Sequence, residues 1–131
     1  MTLIDTHSHI YASEFETDQL AMLERAEKEG VSKILMPAID SSCHEAMLRL
    51  ENQKPSLCLS MMGLHPCYVK ENYREELKIA RDYLEKRPFK AVGEIGLDFY
   101  WDKSFTEQQY TAFHEQIEWA LHFDIPIVIH S

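Results

Sequence analysis

The sequence has no long apolar segment and little cysteine. No apolar run approaches the about 20 residues that cross a membrane, and the N-terminus has no basic stretch followed by an apolar one, as signal peptides have. The three cysteines, Cys43, Cys58 and Cys67, form an odd set without zinc-finger spacing. These absences predict a cytoplasmic protein with no membrane partner, in a reducing compartment and without a disulfide framework. They leave the oligomeric state open.

Basic residues and glycines are also few. The 13 lysines and arginines against 22 acidic residues give a formal net charge of -9, which argues against broad electrostatic binding to nucleic acid. A local site remains open, because a carboxylate cluster that holds divalent cations becomes far less negative once loaded. No glycine-rich phosphate loop follows the first apolar segment, which disfavours a dinucleotide-binding fold.

The 131 residues, 45% of them hydrophobic, suffice for one domain with a real core, and apolar segments alternate with helical ones. Nearly continuous apolar runs predict five buried parallel strands, at 3–6, 33–36, 57–62, 91–95 and 125–129. The alternation indicates an α/β fold with a parallel sheet under helical cover. Either an open doubly wound sheet or part of an eight-stranded barrel fits, and both bind ligands where strands end at their carboxyl side.

Four helices are predicted between these strands. Three capping boxes mark helix starts, at Ser13-x-x-Glu16, Ser42-x-x-Glu45 and Thr106-x-x-Gln109. The first helix is expected to end near Gly30, and the third to cover 73–86. The buried face of the third helix is predicted to hold Leu77, Ala80 and Leu84. The buried face of the fourth is predicted to hold Tyr110, Phe113, Ile117, Ala120 and Leu121.

Two histidines follow the first predicted strand, in Asp5-Thr6-His7-Ser8-His9. Alternate side chains of a strand point the same way, so His7 and His9 share a face. Two imidazoles on one face suit a shared metal ion, although a surface turn that happens to hold two histidines would look the same.

Further polar residues stand at later strand ends. Glu94 lies in an apolar segment, where a carboxylate needs a partner or a cation; it either binds metal, caps the next helix or pairs with a lysine. In an extended strand, Asp98 lies on the same face as Glu94. His130 follows five apolar residues and is expected to point into the site. His65 is expected to bind metal or to contact an anionic substrate. Three histidines on predicted helices are expected to have no role: His44, His114 and His122.

Four blocks of this chain, 5–9, 63–66, 93–98 and 126–131, together resemble the TatD-type metal-dependent hydrolases, which are deoxyribonucleases of the amidohydrolase-like barrel group. The resemblance implies a (β/α)8 TIM barrel with two divalent metal ions, either Zn, Mn, Mg or Fe. By position, His7 and His9 would bind one metal, the catalytic Glu94 would bridge both, and His130 would bind the second. His65 and Asp98 match positions near the substrate.

The chain departs from this family in length and at two positions. Ser8 stands where the family often has cysteine, and Cys67 where many members have a second histidine. Family members are considerably longer, so we interpret residues 1–131 as the N-terminal portion of a single TIM-barrel metal-dependent hydrolase domain, with about five strands and four helices. The remaining barrel half would supply a further histidine and an aspartate, and we expect the 131 residues alone to be inactive.

The function predicted from the resemblance is hydrolysis of DNA phosphodiester bonds by a water that two metals activate. One alternative is an amidohydrolase-type reaction on a small cyclic amide, lactone or phosphoester, because fold does not define substrate. A third hypothesis, of another class, is a metal-stabilised binding protein without turnover.

Overall fold

The computed structural model describes residues 1–131 and contains five strands alternating with four α-helices. The strands are β1 (Leu3–Asp5), β2 (Val31–Met36), β3 (Cys58–Ser60), β4 (Val92–Gly96) and β5 (Ile127–His130). The helices are α1 (Gln19–Lys28), α2 (Ser41–Gln53), α3 (Tyr73–Lys86) and α4 (Thr106–Phe123). Two one-turn 3₁₀ helices cover Ser13–Phe15 and Pro66–Tyr68. None of the helices combines the length and apolar character that a membrane span requires.

The strands are parallel and follow one another in sequence order. β1 pairs with β2, β2 with β3, and β4 with β5, while a bridge between Met62 and Val92 connects the segment after β3 to β4. In a doubly wound sheet the chain reverses direction around its first strand, so the strand order would not be sequential. The observed order is that of a (β/α) barrel, and the fold is the N-terminal half of one.

The core lies between the strands and the helices that cover them. Every residue of β4 is buried, whereas the two outer strands carry exposed apolar side chains, with Ile4 57% and Ile129 53% exposed. α3 has the predicted bounds and buries the predicted Leu77, Ala80 and Leu84. Gly30 follows α1 with φ +94°, the left-handed conformation expected of a helix-ending glycine.

None of the three predicted capping boxes forms in the structure. Ser13 begins an isolated 3₁₀ turn without a side-chain cap, and α1 starts only at Gln19. At α2 the cap is Asp40, whose Oδ1 accepts the backbone N–H of Ser42 at 3.0 Å. α4 does begin at the predicted residue, but the Gln109 side chain bonds to the backbone of another loop instead of closing a box.

The predicted buried face of α4 was correct at Ala120, which is 5% exposed, and wrong at Tyr110 and Leu121. Tyr110 and Leu121 are 50% and 71% exposed, and Phe113 and Ile117 are only partly buried. The fully buried residues of the helix are Gln109, Ala112, Gln116, Trp119 and Ala120. The helix is rotated so that two glutamines face inward, because their amides bond to buried backbone groups of neighbouring loops.

Candidate metal centre

His7 and His9 lie directly after β1 and point to the same side. The Ser8 backbone N–H donates to the Leu35 carbonyl at 3.0 Å, which extends the pairing with β2 and preserves the strand alternation. The two rings are 5.2 Å apart between centroids. The Nε2 atoms of His7 and His9 lie 3.2 and 3.5 Å from Oε2 of Glu94.

Tyr11 holds the His9 ring in one tautomer. Its buried hydroxyl donates to the Pro37 carbonyl at 2.6 Å, so the same oxygen accepts from His9 Nδ1 at 3.0 Å. His9 Nδ1 therefore carries a proton, which leaves Nε2 as the atom that faces the Glu94 carboxylate. A partner on the outer ring nitrogen is typical of metal-binding histidines. Tyr11 was not predicted, although His-x-His-x-Tyr places it on the same strand face.

Glu94 is the centre of the site and is only 6% exposed. Oε2 faces His7 and His9, while Oε1 lies 3.1 Å from His130 Nδ1 and 3.9 Å from His65 Nε2. Burial on its own would raise the pKa of this carboxyl, but its contacts with the histidine rings, His9 first, lower the pKa to about 2. The group is therefore an anion at neutral pH. No lysine pairs with it, and it does not cap a helix.

His130 connects Glu94 to Asp98. Its Nε2 lies 2.7 Å from Asp98 Oδ2 and its Nδ1 faces Glu94. Burial lowers the pKa of His130, but the hydrogen bonds to Asp98 and Glu94 outweigh it and leave the pKa raised. Gly96, at φ +151°, allows the close approach of β5, because a Cβ there would lie 2.8 Å from the His130 carbonyl oxygen.

The loop after β3 brings His65 and Cys67 to the same place. His65 Nδ1 accepts the Cys67 backbone N–H at 3.1 Å, and the Cys67 thiol donates to Asp98 Oδ2 at 3.4 Å. Burial lowers the pKa of His65, whereas burial and the Asp98 carboxylate raise the pKa of Cys67 to about 11.

Two buried glutamines of α4 position these loops. Gln116 Oε1 accepts the Leu64 N–H at 2.7 Å, and its Nε2 donates to the Leu64 carbonyl at 3.2 Å. Gln109 forms the same pair of bonds with Asp98, both at 2.8 Å. Sequence reasoning missed both glutamines as positioning residues; the only signal was two amides seven positions apart on one face of the helix.

All six predicted site residues meet in one place, and the spacing of their donor atoms fits a cation. Two donors about 2.1 Å from one zinc at a tetrahedral angle lie roughly 3.4 Å apart, close to the 3.2 and 3.5 Å between Glu94 and the histidines of β1. Ligand atoms of His7, His9 and Glu94 all lie within 4.8 Å of one another. An open cleft of about 360 Å³ borders the site.

The remaining histidines lie elsewhere, as predicted. His44 is buried in α2 against Tyr83, with ring centroids 5.2 Å apart, and His114 and His122 are exposed on α4. Of the aromatic residues after β4, Tyr100 and Trp101 are 82% and 78% exposed, and Trp101 lines the cleft.

Comparison with known proteins is consistent with this geometry. A family model described as "TatD related DNase" matches residues 4–131. The uncharacterized metal-dependent hydrolase YjjV of Escherichia coli is 38% identical over 131 residues, which cover 98% of this chain and 50% of that protein. The 3'-5' ssDNA/RNA exonuclease TatD of Erwinia tasmaniensis is 30% identical, over 98% of this chain and 49% of the relative.

A solved structure confirms the fold. The crystal structure of YjjV, a TatD homolog from Escherichia coli, superposes with a TM-score of 0.89 at 35% identity and covers 98% of this chain and 50% of that one. The chain thus spans about half the length of the curated relatives it matches.

Proposed function

The chain belongs to the TatD related DNase family of metal-dependent hydrolases, and from that premise we propose that it forms the N-terminal portion of a deoxyribonuclease that hydrolyses DNA phosphodiester bonds. The observation that carries the proposal is the convergence of His7 and His9 on the buried, ionised Glu94, with the His9 tautomer held by Tyr11. Imidazole nitrogens that meet an ionised carboxylate in this way are suited to a divalent cation.

In this proposal His7, His9 and Glu94 would hold one cation, and His130 would contribute to holding a second. When bound, two divalent cations supply Lewis-acid activation of water and neutralise the phosphate charge. The chain's own contribution is to hold the ligand atoms in fixed positions. Glu94 remains ionised within the core, with Oε2 facing His7 and Oε1 facing His130. His65 and Asp98 border the cleft, where a substrate phosphate would enter.

The acidic net charge of -9 restricts the proposal. A net negative charge disfavours broad electrostatic attraction to a duplex, so we expect affinity to come from the loaded centre and from contacts in the cleft. The expected substrate is therefore a DNA strand that contacts the protein mainly within the cleft. Binding through cations at one or two phosphates should give a weaker salt dependence than is typical of basic DNA-binding proteins.

The test is cleavage of DNA by the complete protein before and after removal of metal. Chelation should abolish cleavage and added divalent cation should restore it. Glu94→Gln should lower the rate of cleavage by about 100-fold or more, because the variant loses a metal ligand. Replacing residues that only orient such ligands already lowers metal affinity or activity by about 10–100-fold. The matched control is Glu118→Gln, an exposed carboxylate on α4. DNA cleavage that persists without metal, or a fully active Glu94→Gln enzyme, would contradict the proposal.

Substrate class needs its own comparison. The same preparations are offered single-stranded DNA, duplex DNA and a set of cyclic amides, lactones and phosphotriesters. We expect turnover of DNA that weakens as salt rises, because phosphate contacts release counterions. Salt-independent turnover of a neutral small substrate, with no DNA cleavage, would indicate the amidohydrolase-type alternative instead.

A further inference from the structure

Two exposed aromatic side chains line the cleft that borders the candidate metal centre. Trp101 follows β4 and is 78% exposed, and Tyr68 follows β3 and is 45% exposed. Both line the same cleft of about 360 Å³ as His9, His65 and His130. Pockets that hold small ligands have volumes of about 300–1,000 Å³, so the cleft is large enough for a small ligand or for one unit of a polymer.

The Trp101 ring has a face that no side chain of residues 1–131 covers. Tyr100 contacts it in a T-shaped arrangement with ring centroids 4.8 Å apart, and such a contact covers at most one face of the indole. Trp119, by contrast, is 4% exposed and packs in the core, as is usual for this residue type. An indole left open beside a reactive centre is typical of a side chain that binds a partner.

An ion pair joins the two loops that carry these rings. Lys70 Nζ, two residues after Tyr68, lies 3.0 Å from Oδ2 of Asp102, which directly follows Trp101. The other carboxylate oxygen of Asp102 accepts the backbone N–H of Ser104 at 2.8 Å. These contacts restrict both loops before a ligand arrives, which reduces the ordering cost of binding.

Position and charge indicate the class of ligand. A nucleotide whose phosphate lies at the metal centre carries its base one sugar away, and the walls of this cleft hold both the histidines of the centre and the two aromatic rings. Stacking of a base on an aromatic ring needs no basic surface, which suits a chain with a net charge of -9. Bases inside a duplex are stacked on their neighbours, so only an unpaired base can offer its face to such a ring.

We propose that Trp101 and Tyr68 form a base-stacking subsite, in which an unpaired base next to the cleaved phosphate stacks on the Trp101 indole and contacts the Tyr68 ring. The inference deepens the proposed function and rests on it, because it names the residues that bind the DNA strand beside the centre. Every base has a π-face, so the subsite should accept all four bases with similar affinity.

The experiment measures binding of a short single-stranded DNA to the complete protein loaded with Zn²⁺ or Mn²⁺. The probe is a fluorescein-labelled oligothymidylate whose phosphorothioate linkages resist cleavage, and the readout is fluorescence anisotropy. Trp101→Ala should raise the Kd by about 5–150-fold, the effect of losing one base–aromatic stack. Trp101→Phe should keep most of the affinity, because an aromatic face remains. The matched control is Tyr110→Ala, which removes a half-exposed ring of α4 outside the cleft and should leave the Kd unchanged.

A second probe separates stacking from a structural role of Trp101. An oligonucleotide of the same length that lacks bases should bind the unmodified protein and Trp101→Ala with equal affinity, because the interaction that the variant removes is absent from this probe. A duplex of the same sequence should likewise bind both proteins equally, since its bases are not free to stack on the ring.

The outcomes distinguish this subsite from the proposed function. Equal binding of oligothymidylate by Trp101→Ala and the unmodified protein, or an equal loss with the probe that lacks bases, overturns the subsite. Metal-dependent cleavage of DNA in the same preparations would then leave the proposed function standing. Absence of both binding and cleavage overturns both. Should Trp101→Ala not fold, equal affinity of the unmodified protein for the probes with and without bases still overturns the subsite, and a clear preference for the bases that Trp101→Phe retains supports it.

Discussion

Replacing Gln116 with methionine should destabilise the protein by about 2–4 kcal/mol, because two buried backbone groups lose their only partners. The Gln116 side chain is 1% exposed and satisfies both the N–H and the carbonyl of Leu64, a residue that is itself 1% exposed. An unsatisfied buried polar group costs about 1–3 kcal/mol. The bond at 2.7 Å places the N–H near the upper end of this range, and the bond at 3.2 Å places the carbonyl near the lower end.

Methionine keeps the volume and the unbranched shape of glutamine, so cavity formation adds little to this cost. With a urea dependence of about 1–3 kcal/mol per molar, the unfolding midpoint should fall by roughly 1–2 M. The assay is urea unfolding followed by circular dichroism, with an unchanged slope as evidence that only the free energy of unfolding has changed. The control is Gln108→Met, on the same helix but outside both glutamine–backbone pairs.

The reasoning fails if Gln116→Met shifts the midpoint no more than Gln108→Met does. That result would mean that water or a backbone rearrangement satisfies Leu64 equally well, and that the inward rotation of α4 has another cause. A loss within the stated range in the first variant, with little change in the second, supports the assignment of Gln116 as a positioning residue for the segment that leads into His65.

Three further predictions concern the core and the ion pairs. His44 is buried with no partner for either ring nitrogen, and burial lowers its pKa below 6.5, so the unfolded chain binds a proton at a higher pH than the folded chain does. The free energy of unfolding should therefore be constant above about pH 6.5 and should decrease as the pH falls below that value. The His44→Phe variant should not show this decrease. Gly93→Ala should cost about 1–3 kcal/mol in thermal unfolding, because the new Cβ would lie 2.8 Å from that of Val128 on β5. Burial raises the pKa of Glu51, but the two hydrogen bonds from Arg87 outweigh burial and leave the pKa lowered. Arg87→Met should therefore lower the free energy of unfolding by about 1 kcal/mol at neutral pH. The difference in this free energy between the variant and the unmodified protein should decrease as the pH falls below about 4.5.

Much of the fold follows from local patterns in the sequence. α3 was predicted over its full length, because an apolar stripe at helical spacing and Pro88 beyond its end define both face and limits. Each strand was predicted, although most bounds differ by one or two residues: β1 and β3 end earlier than predicted, β2 begins two residues earlier, and β4 and β5 each end one residue later. The site residues come together because parallel strands present their carboxyl ends at one edge, a rule that needs no tertiary detail.

The missed features are polar contacts between distant parts of the chain. A glutamine on a helix is usually at the surface, so nothing local indicates that Gln109 and Gln116 bond to loops 11 and 52 residues away in sequence. The capping boxes failed for a related reason. The Asp40 side chain, and not that of Ser42, caps the start of α2. The Gln109 side chain bonds to the Asp98 backbone and not to the first residues of its own helix.

The glutamines also show why fold and site depend on each other in this chain. α4 covers β4 and, through Gln116 and Gln109, holds the segments that carry His65 and Asp98. No such amide supports His7 and His9, whose orientation rests on pairing with β2 and on the Tyr11 hydroxyl. The two sides of the Glu94 carboxylate are therefore positioned by different parts of the molecule. Loosening α4 should disturb the Asp98 side while the side at His7 and His9 keeps its geometry, because donor placement on each side depends on its own local supports.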